Sequence, residues 1–415
     1  MPDPEASEAE PYAPLAGTKV IEWAGVAAGP FAGKMLAALG ADVIKIEPPL
    51  RGDGSRSMGP FPDDLPDGEK SALFLYLNNG KRSITLDPAT SDGRAILLRL
   101  IAEWADLFIE DRPVAFMERH ALTYATLAEI VPALVMVSIT PFGQTGPYRD
   151  FTLYPSQTSH AGGAAYNLPD GLHYTERHRP PLPWPRFISD YSAGVQAAGA
   201  ALAALLARGA SGRGQHVDMS KQQTQMHPLR YAIDAYANDG VPYARHRTLG
   251  PLSGTYACAD GYVSMFPTRD AEAPINLTDW LGAPEWSKGE RWRDPAQRNL
   301  HIPEFQALIA EELKRYTMDE IYHGLQAKNV VVGPLYTASN IARSPQFASR
   351  RLFQSVRTEA MGELPYPVLP FKFSPVADRA PGVPPRLGQH NQEVFTGLLQ
   401  LPAAELAQLR ALGVV

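Results

Sequence analysis

Thr18-Lys19-Val20-Ile21-Glu22-Trp23, then Gly25-Val26-Ala27-Ala28-Gly29-Pro30, then Gly40-Ala41-Asp42-Val43-Ile44-Lys45-Ile46-Glu47: these runs decide the fold. The first and last read as strands, and the residues between them as a Gly-rich turn and a helix over 31–39. Strand, turn, helix and strand within roughly 30 residues make a βαβ unit whose strands run parallel. Pro30 is expected at the first helical position, where its missing N–H costs nothing. Gly25, Gly29 and Gly33 are spaced by four, not as G-x-G-x-x-G. The dinucleotide fingerprint is therefore absent, although Glu47 stands where an acidic residue would hold a ribose. A helix starting near Gly29 still offers free backbone N–H groups to an anion.

Working outward, 84–86, 105–110 and 134–139 read as further strands, and 92–104 and 124–131 as helices. Their alternation predicts an α/β fold with a doubly wound, Rossmann-like large domain over 15–225. Beyond Gln215 the pattern changes. Asp260-Gly261 predicts a hairpin turn within 250–266, and helical stretches follow at 303–316 and 318–328. These make a smaller α+β domain over 235–330, after which 340–415 returns to the large domain. Residues 1–14 are acidic and Pro-containing and are expected to form a disordered tail.

The chain has 415 residues, 45% hydrophobic and 20% charged, as in a globular protein with a large core. Its net charge of −6 gives no global attraction for nucleic acid or anionic membrane. No signal sequence or spanning stretch is read, and the expected location is the cytoplasm. Cys258 is the one cysteine, which excludes an internal disulfide, and it reads as a small buried strand residue. The ten histidines show no H-E-x-x-H or other metal-ligand spacing, so no metal is expected. No G-x-S-x-G elbow is present.

Phe187-Ile188-Ser189-Asp190-Tyr191-Ser192-Ala193-Gly194 leaves one carboxylate at the mouth of a long Ala/Leu-rich helix that closes on Ser211-Gly212-Arg213-Gly214-Gln215. The helix dipole favours an anion there. In a dry site open to a thioester such an anion can act as a nucleophile. By itself, though, the segment reads more simply as an Asp helix cap. Arg56 follows Gly52-Asp53, Lys81 and Arg82 precede a predicted strand, and Arg112 and Arg119 follow the strand at 105–110; Arg suits phosphate, and open sheets bind ligands beyond strand C-termini.

Taken together, these motifs resemble the family III CoA-transferases, the group of formyl-CoA transferase and the carnitine CoA-transferases. The matching residues run in order from Ala28-Gly29-Pro30 and Leu39–Glu47 through Gly52-Asp53-x-x-Arg56 and Asn79-x-Lys81-Arg82-Ser83-Ile84-x-Leu86-Asp87. They continue through Phe142-Gly143-Gln144-Thr145-Gly146-Pro147 and Ser211–Gln215 to Pro381 and Leu387-Gly388-Gln389-His390. The resemblance implies a homodimer of interlocked rings and an enzyme that moves CoA from an acyl-CoA donor to a carboxylic acid acceptor. It makes Asp190 the nucleophile, passing through a mixed anhydride and an aspartyl-CoA thioester. Such chemistry needs water excluded and backbone donors for the oxyanion, near Gly29 or in Gly250–Gly254.

By the same resemblance Val26 and Ala27 lie beside the thioester, and Arg112 and Arg119 hold the CoA phosphates. Arg56, Leu86, Asp87, Pro88, Ala89, Asp111 and Tyr154 complete the CoA site. Asp111 stands where Asn is usual, an unfavourable charge near phosphate, and Ala27 replaces a Gln of formyl-CoA transferase. Tyr166, Tyr174, Trp184 and Tyr191 are candidates for the acyl pocket. Related acyl-CoA racemases carry a His where this chain has Leu153 and Tyr154. They form the second reading, which α-carbon deuterium exchange without an acceptor would reveal. A non-catalytic CoA-binding subunit is the third.

Overall fold

A computed structural model describes residues 13–167, 180, 182, 185–227, 230–240, 250–266, 271–373 and 379–415. Residues 1–12 of the expected tail, with Tyr174 and Trp184, lie outside them. The described parts of 1–164, 184–229 and 346–415 form one compact unit, and those of 165–183 and 230–345 a second.

The first unit is built on β1 (Lys19–Trp23), β2 (Asp42–Glu47), β3 (Arg82–Thr85), β4 (Leu107–Glu110), β5 (Val135–Thr140) and β6 (His216–Ser220). They form one sheet in the order β3-β2-β1-β4-β5-β6, with every pairing parallel. Near-continuous apolar strands such as Val20-Ile21 and Val135–Ile139 suit a sheet covered on both faces. One core joins Ile21, Ile44, Ile84, Phe108 and Met136 to Leu97, Leu100 and the C-terminal Phe395 and Leu406. The opposite core joins Val20, Val43, Leu107 and Val137 to α1 (Ala28–Ala38) and to the alanines of the helix that begins at Ile188.

Other helices of this unit are α2 (Ala72–Asn78), α3 (Ser91–Trp104), α4 (Val114–Arg119), α5 (Tyr124–Ile130), α6 (Pro155–Ala161), α7 (Ile188–Ser211) and α8 (Lys221–Thr224). By length and composition α7 would pass for a membrane span, contrary to the sequence reading. It instead buries Ala193, Ala197, Ala201 and Ala204 in the core against the sheet. Contact with α1 is close: a Cβ on Gly194 would lie 2.6 Å from the Ala28 carbonyl oxygen. The C-terminal part adds a hairpin, Phe353–Thr358 with Gly362–Pro367, a π-helical turn at Gln392–Leu398 and a helix at Ala403–Ala411.

Three local readings are corrected. Helix α1 begins at Ala28, so Pro30 is its third residue; its nitrogen still needs no intrahelical partner there. No strand is read from the sequence between 139 and 225, but the parallel sheet adds β6 there, a short edge strand with polar alternate positions. Cys258 is half-buried rather than buried, with Sγ 3.6 Å from Asp260 Oδ1.

In the second unit, β7 (Gly254–Cys258), β8 (Gly261–Met265) and β9 (Val332–Pro334) form an antiparallel sheet. The hairpin turns at Ala259-Asp260, where Cys258 pairs with Gly261, one residue ahead of the expected Asp260-Gly261 turn. Helices Ile302–Leu313 and Met318–Gln326 contribute Phe305, Ile309, Ile321 and Leu325 to its core.

Candidate active site

The chain leaves β1 toward β2 and, later, β4 toward β5, in opposite directions along the sheet. Ligands of open parallel sheets bind beyond the strand C-termini at such a switch point. Here the residues after β1 and β4 meet. Gly25 N–H donates to Asp111 Oδ2 at 2.9 Å, and the Arg112 guanidinium lies 5.4 Å from the Trp23 ring centre. Arg112 also pairs with Asp111. The extra negative charge at Asp111 is thus matched by its neighbour and tied to the β1 loop.

Val26 follows in a left-handed conformation, φ 61°, which costs a β-branched residue energy. A buried charge network beneath the loop holds it there. Val26 N–H donates to Asp53 Oδ1 at 3.2 Å, Asp53 pairs with Lys45 at 2.8 Å, and Lys45 and Lys81 share Glu22 at 2.8 and 2.7 Å. Burial alone would raise the Asp53 carboxyl, but Lys45 and the Ser55 hydrogen bonds overcome it and hold the group at about 2.

The same network explains why several expected ligand contacts are instead internal. Arg56 is 3% exposed and binds Glu47 with Nε and Nη2, at 2.7 and 2.9 Å, and Glu69 with Nη1. It braces the fold and has no donor left for a CoA phosphate. Glu47, occupied by Arg56, Asp53 N–H and Ser83 Oγ, holds no ribose. Lys81 is spent on Glu22, and Arg82 on Asp42 and Glu393.

Leu86 and Pro88 are buried after β3, Asp87 accepts Ala89 N–H, and Ala89 is exposed. Arg119 is exposed in the last turn of α4 and makes no ion pair among the described residues. Tyr154 caps α6 and is 72% exposed. His160 lies on α6, away from the Leu153-Tyr154 position.

Asp190 is the third residue of α7, inside its first turn rather than ahead of it. The N-cap is Phe187, held left-handed at φ 68°, and Asp190 does not cap the helix. The residue is 1% exposed, and neither carboxylate oxygen has a hydrogen-bond partner. The Lys221 ammonium, at the start of α8 directly after β6, approaches Oδ1 to 2.8 Å. The approach is too oblique for a hydrogen bond, and the contact is an ion pair. Ser189 and Gln225 fix the turn around it: Ser189 Oγ donates to Pro155 O and Gln225 Nε2 to Ser189 O.

Both strained residues, Val26 and Phe187, belong to one apolar cluster with Ala27, Phe31, Leu77, Tyr76 and Tyr191. Tyr191 packs edge-on against Phe31 at 4.9 Å and against Tyr76 at 6.2 Å. Burial, then Tyr76 and Asp190, push its hydroxyl up to about 12. The cluster brings the β1 loop together with the α7 turn that carries the buried Asp190. Such backbone outliers concentrate at functional sites. Of the acyl-pocket aromatics, Tyr191 lies in this cluster; Tyr166 is an exposed residue of the second unit.

Residues 15–391 match the family model described as CoA-transferase family III. The chain belongs to this family. A succinyl-CoA–D-citramalate CoA-transferase from Chloroflexus aurantiacus is 32% identical over 99% of this chain and 100% of its own. A succinate–glutarate CoA-transferase of Agrobacterium fabrum is 32% identical over 93% of this chain and 96% of its own. The crystal structure of a CAIB/BAIF family protein from Brucella suis superposes with a TM-score of 0.82 at 30% identity, over 93% of this chain and 100% of that one. The α/β fold with its parallel sheet is therefore that of a family III CoA-transferase, and acyl-CoA is its substrate.

Sequence reading missed Lys221 altogether. The signal was a lysine opening a short helix straight after a strand, which on its own reads as a solvated charge.

Proposed function

We propose that Asp190 carries CoA from an acyl-CoA thioester to a free carboxylic acid. The carboxylate attacks the thioester carbonyl, forming a mixed anhydride and expelling the CoA thiolate. The thiolate then attacks the aspartyl carbonyl of the anhydride, releasing the donor acid and leaving an aspartyl-CoA thioester. An acceptor carboxylate runs the same two steps backward and restores Asp190.

The observation that carries this reading is a dry carboxylate in the first turn of α7 that caps nothing and lacks hydrogen bonds to hold it inert. Water exclusion protects an anhydride from hydrolysis. Entry of a thioester requires the groups covering Asp190 to part, as active-site loops do on binding.

In this reading Val26 and Ala27 border the thioester, Leu86–Ala89 and Tyr154 flank the CoA chain, and Arg119, with Arg112 beside the switch point, meets the phosphates. The site is completed in a cytoplasmic homodimer of interlocked rings, whose mass by light scattering would be twice 45.2 kDa. A single-chain mass would remove the dimer. The two relatives act between succinyl-CoA and D-citramalate and between succinate and glutarate, so succinyl-CoA is the first donor in a screen of thioesters against acids.

Asp190→Ala is expected to abolish acyl exchange while CoA binding by calorimetry persists. Exchange at the wild-type rate in this variant would remove the nucleophile.

A further inference from the structure

We propose that Lys221 binds the carboxylate of the acceptor acid, exchanging its ion-pair partner as Asp190 is acylated and released. This deepens the reading of Asp190 as nucleophile and rests on it.

Charge conservation supplies the argument. At the start the negative charge sits on Asp190. When Asp190 attacks the thioester, the C–S bond breaks and the charge leaves on the CoA thiolate. When the thiolate attacks the aspartyl carbonyl, the anhydride C–O bond breaks and the charge moves to the donor's free carboxylate. Asp190 is then a neutral thioester. The incoming acceptor carboxylate brings the charge back, and the reverse steps pass it to thiolate and finally to Asp190. One negative charge is therefore present near residue 190 at each productive stage, in three successive chemical forms.

Lys221 is the cation that faces this point. Its Nζ lies 2.8 Å from Asp190 Oδ1, and its side chain is 18% exposed while that of Asp190 is 2% exposed. Among the described residues the ammonium has no other partner. A three-donor point charge on a flexible stem can follow a migrating anion. Once Asp190 is a neutral thioester, the half-buried ammonium has lost its counterion, which is costly in a poorly solvated site. A free carboxylate restores the balance, and it arrives beside the carbonyl it must attack. Lys221 is thus a substrate-binding residue that selects an anionic nucleophile over water or a neutral one.

The test is a partition of the aspartyl-CoA thioester between two nucleophiles. Full-length wild type, Lys221→Met and Lys221→Arg turn over the donor and acceptor that wild type uses best, in the presence of hydroxylamine. The readout is acceptor-CoA thioester formed per hydroxamate formed at residue 190. Both branches leave the same thioester, so partial misfolding does not change the ratio. Lys221→Met is expected to lower it about tenfold or more, the scale of one lost hydrogen bond to a charged group. Lys221→Arg, which keeps the charge, is expected to stay within about threefold of wild type on the same scale. If the Met protein is insoluble, Lys221→Gln replaces it. A wild-type ratio in the neutral variant, or an Arg variant that falls as far as Met, overturns the role of Lys221 and leaves Asp190 as nucleophile. Absence of hydroxamate from wild type during turnover overturns the Asp190 reading and the role of Lys221 with it.

Discussion

At the scale of single residues, burial decides which charges are available for chemistry. Arg56, Lys81 and Glu47 look like ligand contacts in the sequence because they stand at strand ends or Gly-rich turns, but each is tied to a buried partner that spacing does not reveal. Asp190 was legible as a carboxylate at a helix mouth, whereas its ion pair with Lys221 was not, since β6 must first be placed beside β5. Glu110 offers a separate measurement. It is fully buried at the end of β4, and burial pushes its carboxyl up to about 7, opposed by Ser138 and the Arg112 N–H. A carboxyl whose pKa is raised on folding costs stability as pH rises from its unfolded value, about 4.5, to its folded value. Above that window the cost is constant; below it the cost is gone. Glu110→Gln removes the charge and keeps an acceptor for Arg112 N–H. It is expected to stabilise the protein at pH ~8 by on the order of 3 kcal/mol, and to have no effect near pH ~4. Melting temperatures that shift equally at both pH values would contradict the raised carboxyl.

At the scale of elements, four of the first five strands were readable as apolar-rich runs bounded by turn residues, β3 was legible from Ile84 and Leu86 just past its centre, and their edges moved by at most a few positions. The sixth was not, because His216-Val217-Asp218-Met219-Ser220 carries only two apolar residues and sits at the sheet edge. The order β3-β2-β1-β4-β5-β6 places the β1 and β4 loops together, a consequence of topology that no local pattern states. The approach of α1 to α7 depends on Gly194, where a Cβ would stand 2.6 Å from Ala28 O and 3.0 Å from Phe31 Cβ. Gly194→Ala is expected to push α7 outward, destabilise the protein by about 1–3 kcal/mol as overpacking does, and lower turnover more than its stability loss explains. A variant with wild-type turnover would show that this contact does not position Asp190.

At the scale of the whole molecule, one sheet with two covered faces presents a single end where strand termini, strained loops and the α7 turn converge. That convergence gives a family III CoA-transferase a carboxylate shielded from water, and in the proposed cycle the acceptor carboxylate replaces Asp190 as the counterion of Lys221 once Asp190 is a neutral thioester. The covalent step is the claim on which the rest depends. Wild-type enzyme and Asp190→Ala, incubated with acyl-CoA alone, quenched with hydroxylamine and digested, are compared by peptide mass spectrometry. The account predicts a hydroxamate on the wild-type peptide that contains residue 190, and none on the variant. A wild-type peptide left unmodified, in a preparation that transfers CoA once an acceptor acid is added, would contradict it.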